Sequence, residues 1–227
     1  PFHFEVVGFA EEEGQRYKAT FLGSGALIGH FNPDWLDQTD VDGIRMREAM
    51  AQAGLKINDI PALQRNPADY LGFVEVHIEQ GPVLNELDIP LGIVTSINGS
   101  VRFTGEVLGV ACHAGTTPMN RRRDAATAVA ELALYVEQRA GQDGDSVGTV
   151  GMLQVPNGSI NVVPGQCNFS LDLRAPHNAQ RDALAHDVLA QLQSICDRRG
   201  LRYTLEETMR AAAAPSAPAW QQRKGHA

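Results

Sequence analysis

The sequence predicts a mixed α/β chain whose second half is a self-contained β-α-β-β-α-β domain, on three observations. From Val101 onward, strand-like alternation and helix-like periodicity succeed each other regularly. Each of the two helical segments there carries one apolar stripe: Ala126, Val129, Ala130, Leu132, Ala133 and Val136 in the first, Leu184, Val188, Leu189, Leu192 and Ile195 in the second. Before Val101 the texture differs, with short elements punctuated by Gly and Pro. One stripe per helix suits a helix laid on a sheet, so the order implies a compact sheet with both helices on one face.

The first half reads as a strand over 5–10, a glycine-punctuated loop and short helix over 20–29, and a second short helix capped by Asn32-Pro33-Asp34. A helix over 44–53, the segment 61–67 with a proline at each end, and strands over 73–79 and 91–97 follow. This is part of an α/β layer. The second half reads as strand 101–110, helix 124–139, strands 147–155 and 160–174, helix 179–199 and strand 201–208, with Asn157-Gly158 as a hairpin signal. The expected domains are 1–98 and 99–210. Residues 211–227, which open on four alanines and include Pro215 and Pro218, are a linker-like tail open to proteolysis.

Composition narrows the classes. With 227 residues, 43% of them hydrophobic, there is material for one large or two modest cores. A formal charge of −8 and the lack of a basic stripe beyond Arg121-Arg122-Arg123 argue against nucleic acid as a partner. No apolar run reaches the roughly 20 residues of a membrane span, and no leader pattern opens the chain, so the cytosol is the expected compartment. Three widely spaced cysteines, Cys112, Cys167 and Cys196, suit neither a disulfide framework nor a zinc knuckle.

Five polar clusters exceed what packing requires. In 73–83, alternation puts Val74, Val76 and Ile78 on one face and Glu75, His77 and Glu79 on the other, stopping at Gly81-Pro82; a metal ligand could be held there. In 9–17, three carboxylates, Glu11, Glu12 and Glu13, precede Gly14. Neighbouring carboxylates suit metal chemistry, one binding a cation while another takes a proton from metal-bound water, although an acidic turn in solvent has the same wording. The small-residue loop 112–119 carries His113, which can present a ring nitrogen to an oxyanion. Asn161, in 157–165, and Arg174, in 171–176, could fix a substrate carboxylate, since Arg offers a planar fork of donors.

Taken in order, FAEEEGQRY, EVHIEQGPVL, HAGTTPM, INVVPG and LDLRAP resemble the hydantoinase/carbamoylase branch of the dinuclear zinc aminoacylase and carboxypeptidase superfamily, over residues 4 to 210. The resemblance implies a zinc-peptidase-like catalytic α/β layer, here partial, plus a ferredoxin-like βαββαβ lid and dimerisation domain. It also implies hydrolysis of a ureido or amidine C–N bond in a small carboxylate with release of ammonia. Allantoate, N-carbamoyl-L-amino acids and 3-ureidopropionate are the competing substrates. By the same resemblance Glu12 is the general base, with Glu11 as the alternative, Glu13 and His77 are ligands of different metals, and Gln80 contacts substrate. His113 polarises the scissile carbonyl, commonly across a homodimer interface, while Asn161 and Arg174 hold the carboxylate. The implied cofactor is a divalent pair, zinc or manganese, and closure of the small domain is expected to bring His113, Asn161 and Arg174 to the metals and exclude water.

Relatives carry an upstream His-x-Asp segment and a downstream Gly-His-Asp segment that have no counterpart here; Gly225-His226 echoes the second without its surroundings, and His226 is not assigned as a ligand. The expectation is that the parent protein is the enzyme, while this polypeptide is depleted of metal and turns over little. The rival expectation is a non-catalytic dimerisation and substrate-binding fragment.

Overall fold

The computed structural model describes residues 3–224, and the chain divides into two compact units between Gln80 and Gly81. His226 lies outside the described residues. Among those described, no helix is long and apolar enough to cross a membrane.

The first unit is held by a small core of Tyr17, Ala19, Leu22, Leu36 and Met46, with Phe31 and Trp35 meeting edge to face at 5.5 Å beside it. Around this core lie α1 (Leu22–Leu27), a 3-10 turn over Pro33–Asp37 and α2 (Met46–Gln52). Asn32 caps the turn as its sequence implies, its side chain accepting the Asp34 N–H at 3.0 Å. The expected strands over 5–10 and 73–79 do not form: among the described residues both segments lie outside helices and strands and bond to no ladder. Alternation specifies two faces, not a partner strand, and without one the apolar face stays in solvent; Val76 is 96% exposed and Ile78 75%. The 5–10 segment is tethered instead by Glu5, which takes Arg65 at 2.8 Å.

The second unit opens with α3 (Val83–Glu86) and β1 (Ser96–Ile97), the latter all that forms of the strand expected over 91–97. Then come β2 (Gly99–Leu108), β3 (Cys112–His113), α4 (Ala125–Gln142), β4 (Val147–Thr149), β5 (Leu153–Gln154), β6 (Val162–Val163) and β7 (Gln166–Ala175). α5 (Asn178–Arg199), β8 (Arg202–Ala211), β9 (Ala214–Pro215) and α6 (Pro218–Lys224) complete it. The main sheet has the order β4-β7-β2-β8, with β5 also on β7, every pair antiparallel. That is the expected βαββαβ arrangement, α4 and α5 covering one face. The stripe on α4 is rotated slightly from its sequence reading: Val129, Leu132 and Val136 are buried as expected, but Ala125, Ala128 and Ala140 flank them instead of Ala126, Ala130 and Ala133. On α5, Leu184, Val188, Leu192 and Ile195 are fully buried.

Helix limits follow from capping. Asp124 accepts the Thr127 N–H at 3.1 Å to start α4, and Gly200, at φ 64°, ends α5 after Arg198 and Arg199. Asn157 takes the left-handed φ of 54° that its turn requires, yet its flanks do not pair with each other: β5 joins β7 and β6 joins β3. The tail is not a free linker. β9 pairs with β1, Ser216 donates N–H to Thr95 O at 2.9 Å, and Asn178 Oδ1 receives the Ala213 N–H at 2.8 Å. Backbone donors of an apolar Ala/Pro segment find acceptors on two neighbouring elements, so the predicted cutting site between 211 and 218 is partly tied down.

The three thiols differ in setting. Cys167 and Cys196 are buried, and burial pushes the Cys196 thiol up to about 11, while Cys112 is half-buried. One thiol, Cys112, is therefore expected to react with a disulfide reagent in the folded protein and the other two only on unfolding; peptide mapping after timed alkylation reads the order.

Candidate functional site

In the first unit Glu11 adopts a left-handed backbone, φ 55°, and its carboxylate receives the Arg16 N–H at 3.2 Å. Glu12 is held by Ser24, whose N–H and hydroxyl reach its carboxylate at 2.8 and 2.6 Å. Ser24, which the motif reading passed over, thus fixes the carboxylate named as base. Glu13 is exposed and receives Gln80 Nε2 at 3.5 Å, bringing the two acid and amide motifs to one place. Gln80 reaches it from a left-handed backbone, φ 55°, at the end of the 73–79 run.

His77 is exposed, with Nδ1 2.5 Å from Ile78 O, which leaves Nε2 as the nitrogen open to a ligand. It does not sit on the rigid strand expected for it. Among the described residues no group of three or more His, Cys, Asp or Glu stands close enough to hold a metal ion. Glu13 and His77 fall short of the four ligands of a tetrahedral zinc centre, so the described residues do not fit a complete one.

In the second unit the short ladder of β3 with β6 pairs His113 with Val162 and Cys112 with Val163, and Ala114 N–H donates to Asn161 O at 2.9 Å. His113 and Asn161 are thereby neighbours. His113 Nδ1 accepts the Gly115 N–H at 3.0 Å, so the neutral ring carries its proton on Nε2 and presents a donor. The Asn161 side-chain oxygen accepts the Ser159 hydroxyl at 2.9 Å, leaving its NH₂ to face a ligand.

Arg174 lies elsewhere. It is near the far end of β7, opposite Ser100 and Val147, whereas the His113 and Asn161 loops adjoin the start of that strand at Gln166. Eight residues of extended chain, roughly 27 Å, run from Gln166 to Arg174. Within one copy this length sets Arg174 apart from the His113 and Asn161 pair, farther than a small carboxylate reaches.

Around Arg174 the open face of the sheet forms a cavity of about 520 Å³ lined by Arg102, Thr104, Thr149, Ser170, Asp172 and Arg174, among others. Asp172 Oδ1 and Oδ2 accept Arg174 Nε and Nη2 at 2.8 and 2.7 Å, and Oδ2 also takes Arg102 Nε at 3.0 Å. The Arg174 guanidinium, with Arg102 beside it, holds the Asp172 carboxyl below the usual carboxylate range. Because Asp172 occupies the Nε edge, the Nη1/Nη2 edge of Arg174 is the one open to a second carboxylate. Asp172 was visible in the sequence as the residue two before Arg174, on the same strand face, but alternation alone assigns it no partner.

Residues 95–200 match the family model described as the peptidase dimerisation domain. An N-carbamoyl-L-amino acid amidohydrolase of Geobacillus stearothermophilus is 41% identical over 208 residues, 92% of this chain and 51% of that protein. An allantoate deiminase of Arabidopsis thaliana is 37% identical over 235 residues, 94% of this chain and 45% of that protein. The crystal structure of an amidase of the hydantoinase/carbamoylase family from Burkholderia phymatum superposes with a TM-score of 0.84 at 30% identity, covering 95% of this chain and 54% of that one. The chain spans about half the length of the curated relatives it matches. Over more than nine-tenths of its length, then, the chain resembles about half of each of these hydantoinase/carbamoylase-type proteins, and its βαββαβ unit matches the peptidase dimerisation domain.

Proposed function

We propose that this chain forms part of an amidohydrolase that cleaves the C–N bond of a small ureido carboxylate, and that its second unit works as a homodimer in which two copies complete each substrate site. The observation that carries the reading is the separation of the polar groups along β7. His113 and Asn161 at one end, Arg174 at the other, cannot serve one small molecule from a single copy, and a dimerisation domain supplies the second. Relatives named for N-carbamoyl-L-amino acids and for allantoate support the substrate class, since both compounds pair a ureido group with a carboxylate.

In this reading Arg174 binds the substrate carboxylate through its Nη1/Nη2 edge, and the Asn161 amide adds a donor from the other copy. The His113 Nε2–H donates to the carbonyl oxygen as charge grows on it, and Glu12, oriented by Ser24, accepts and returns the proton needed by the leaving nitrogen. Likeness to metallo-amidohydrolases implies a divalent metal pair, and Glu13 and His77 are the residues we assign to it, one to each metal. Residues 1–98 are taken as the catalytic part and 99–210 as the lid and dimerisation part.

The test is a mixing experiment. Ammonia release from allantoate, an N-carbamoyl-L-amino acid and 3-ureidopropionate, with zinc or manganese added, is compared for His113→Ala, Arg174→Ala and an equal mixture allowed to exchange subunits. Calorimetric binding of the same compounds is measured alongside. Each variant alone should lose function, and the mixture should regain about a quarter, because half the dimers are hybrid and each hybrid has one intact site. No recovery on mixing, a monomer by light scattering, or turnover of a dipeptide in preference to the ureido compounds would overturn the reading.

The rival view, a dimerisation and binding fragment without turnover, is favoured by one observation: β8 is a ten-residue edge strand of the main sheet, along the domain that matches the dimerisation family. It predicts ligand binding that depends on Arg174, with no ammonia under any metal.

A further inference from the structure

The loop that carries His113 is held by a residue with no assigned part, Arg122. Its Nε donates to Thr117 O at 3.0 Å and its Nη2 to Ala114 O at 2.6 Å, so one guanidinium fork spans the loop from side to side. Among the described residues Arg122 forms no ion pair with a carboxylate, although it is half-buried. Its charge acts through those two carbonyls.

Between them lies Gly115, whose N–H reaches His113 Nδ1, and Thr117 N–H closes the turn onto His113 O at 3.1 Å. The imidazole packs directly against Gly115: a Cβ there would stand 3.1 Å from His113 Cε1 and 3.4 Å from Nδ1. The glycine is needed for that approach of ring to backbone, since its φ is not in the left-handed region. An exposed imidazole in water exchanges its proton between the two nitrogens. Here a backbone donor claims Nδ1, and the position of that donor is set by the carbonyls on either side of it.

We propose that Arg122 is a positioning residue: by tying the Ala114 and Thr117 carbonyls it keeps the Gly115 N–H on His113 Nδ1 and fixes the ring as the Nε2–H tautomer, its donor turned outward. The use of that donor on a substrate carbonyl rests on the hydrolase reading above; the tautomer and its dependence on Arg122 do not. A Lys at 122 keeps the charge but supplies a single point in place of a planar fork, so it cannot bridge both carbonyls as Arg does.

The test uses the full chain labelled with ¹⁵N, without substrate or metal, so it stands or falls independently of any activity. The readouts are the His113 ring ¹⁵N shifts and the through-hydrogen-bond coupling between Gly115 N and His113 Nδ1. The wild type should show the coupling and a single Nε2–H tautomer. Arg122→Gln and Arg122→Lys should both lose the coupling and move the ring shifts toward the average of a freely exchanging imidazole, with Phe169 and Leu132 resonances unchanged. Gly115→Ala should lose it with Arg122 intact. Persistence of the coupling in both Arg122 variants overturns the proposal, as does a wild-type ring protonated on Nδ1. Unfolding of both Arg122 variants overturns it too, because a role confined to the loop requires an intact core.

Discussion

Replacing Phe169 by alanine is expected to destabilise the second unit by about 3–5 kcal/mol, the range for truncating a fully buried aromatic. Phe169 is 0% exposed and sits opposite Gly105 on the neighbouring strand. The ring fills the space that a side chain at 105 would take: a Cβ there would come within 2.5 Å of Phe169 Cζ. Its loss leaves a cavity over bare backbone, and the helices above cannot settle into it freely. Glu131 of α4 is bound by both Arg198 and Arg199 of α5, at 2.7 Å for the latter, so the two helices are tied at a fixed spacing. Gly105→Ala should be destabilising from the opposite direction, by about 1–3 kcal/mol of overpacking. Leu134→Ala, at a position 69% exposed on the outer side of α4, should fall within about 0.5 kcal/mol of wild type. Urea melts followed by circular dichroism measure all three; a Phe169→Ala cost near that of Leu134→Ala would mean that the core is not closed around the ring.

The same residues show why the second half was legible in the sequence and the first was not. Long strands of strict alternation, such as β7 with Cys167, Phe169, Leu171, Leu173 and Ala175 inward, and two helices with one stripe each leave few ways to close a core. Topology then follows from element order. Residues 3–80 offered the same alternation at Val74, Val76 and Ile78, but a strand also needs a partner, and nothing in those residues says where one would be. The motifs at Glu12, Glu13, His77 and Gln80 were readable as residue types, and Glu13 and Gln80 do meet. The contact between Glu12 and Ser24 was not readable, because it depends on a left-handed turn at Glu11 that no residue preference announces. The separation of Arg174 from Asn161 is legible in the sequence: a strand over 160–174 holds the two roughly 40 Å apart by its own length. Motif order groups residues by meaning, whereas strand rise places them.

Arg174→Ala is expected to weaken binding of a ureido carboxylate by about 3 kcal/mol, on the order of a hundredfold, while leaving the fold nearly untouched. The two effects separate because of Asp172. Removing Arg174 takes away two charge-assisted bonds to that carboxylate, but Arg102 Nε stays at 3.0 Å on its outer oxygen, and the group is 28% exposed to water. A half-buried pair still in contact with water contributes about 1 kcal/mol at most, so the stability loss should not exceed that. Binding has no such substitute: the Nη1/Nη2 edge is a planar two-point donor, and Lys at 174 should recover only a small part of the affinity. The pH dependence has a definite sign. Asp172 is held low mainly by its hydrogen bond from Arg174, so the folded pair is fully formed above the ordinary carboxylate value of about 3.9 and is lost only as pH falls through the lower folded one. Through this pair, affinity should be flat from pH 5 to 8. Calorimetry of an N-carbamoyl-L-amino acid against wild type and Arg174→Ala at pH 5, 6, 7 and 8 makes the measurement. Equal affinity of the two proteins would move the carboxylate site away from β7. A wild-type affinity that falls steeply within that range, with Arg174→Ala flat, would mean that Asp172 releases Arg174 near neutrality, contrary to the pair seen here.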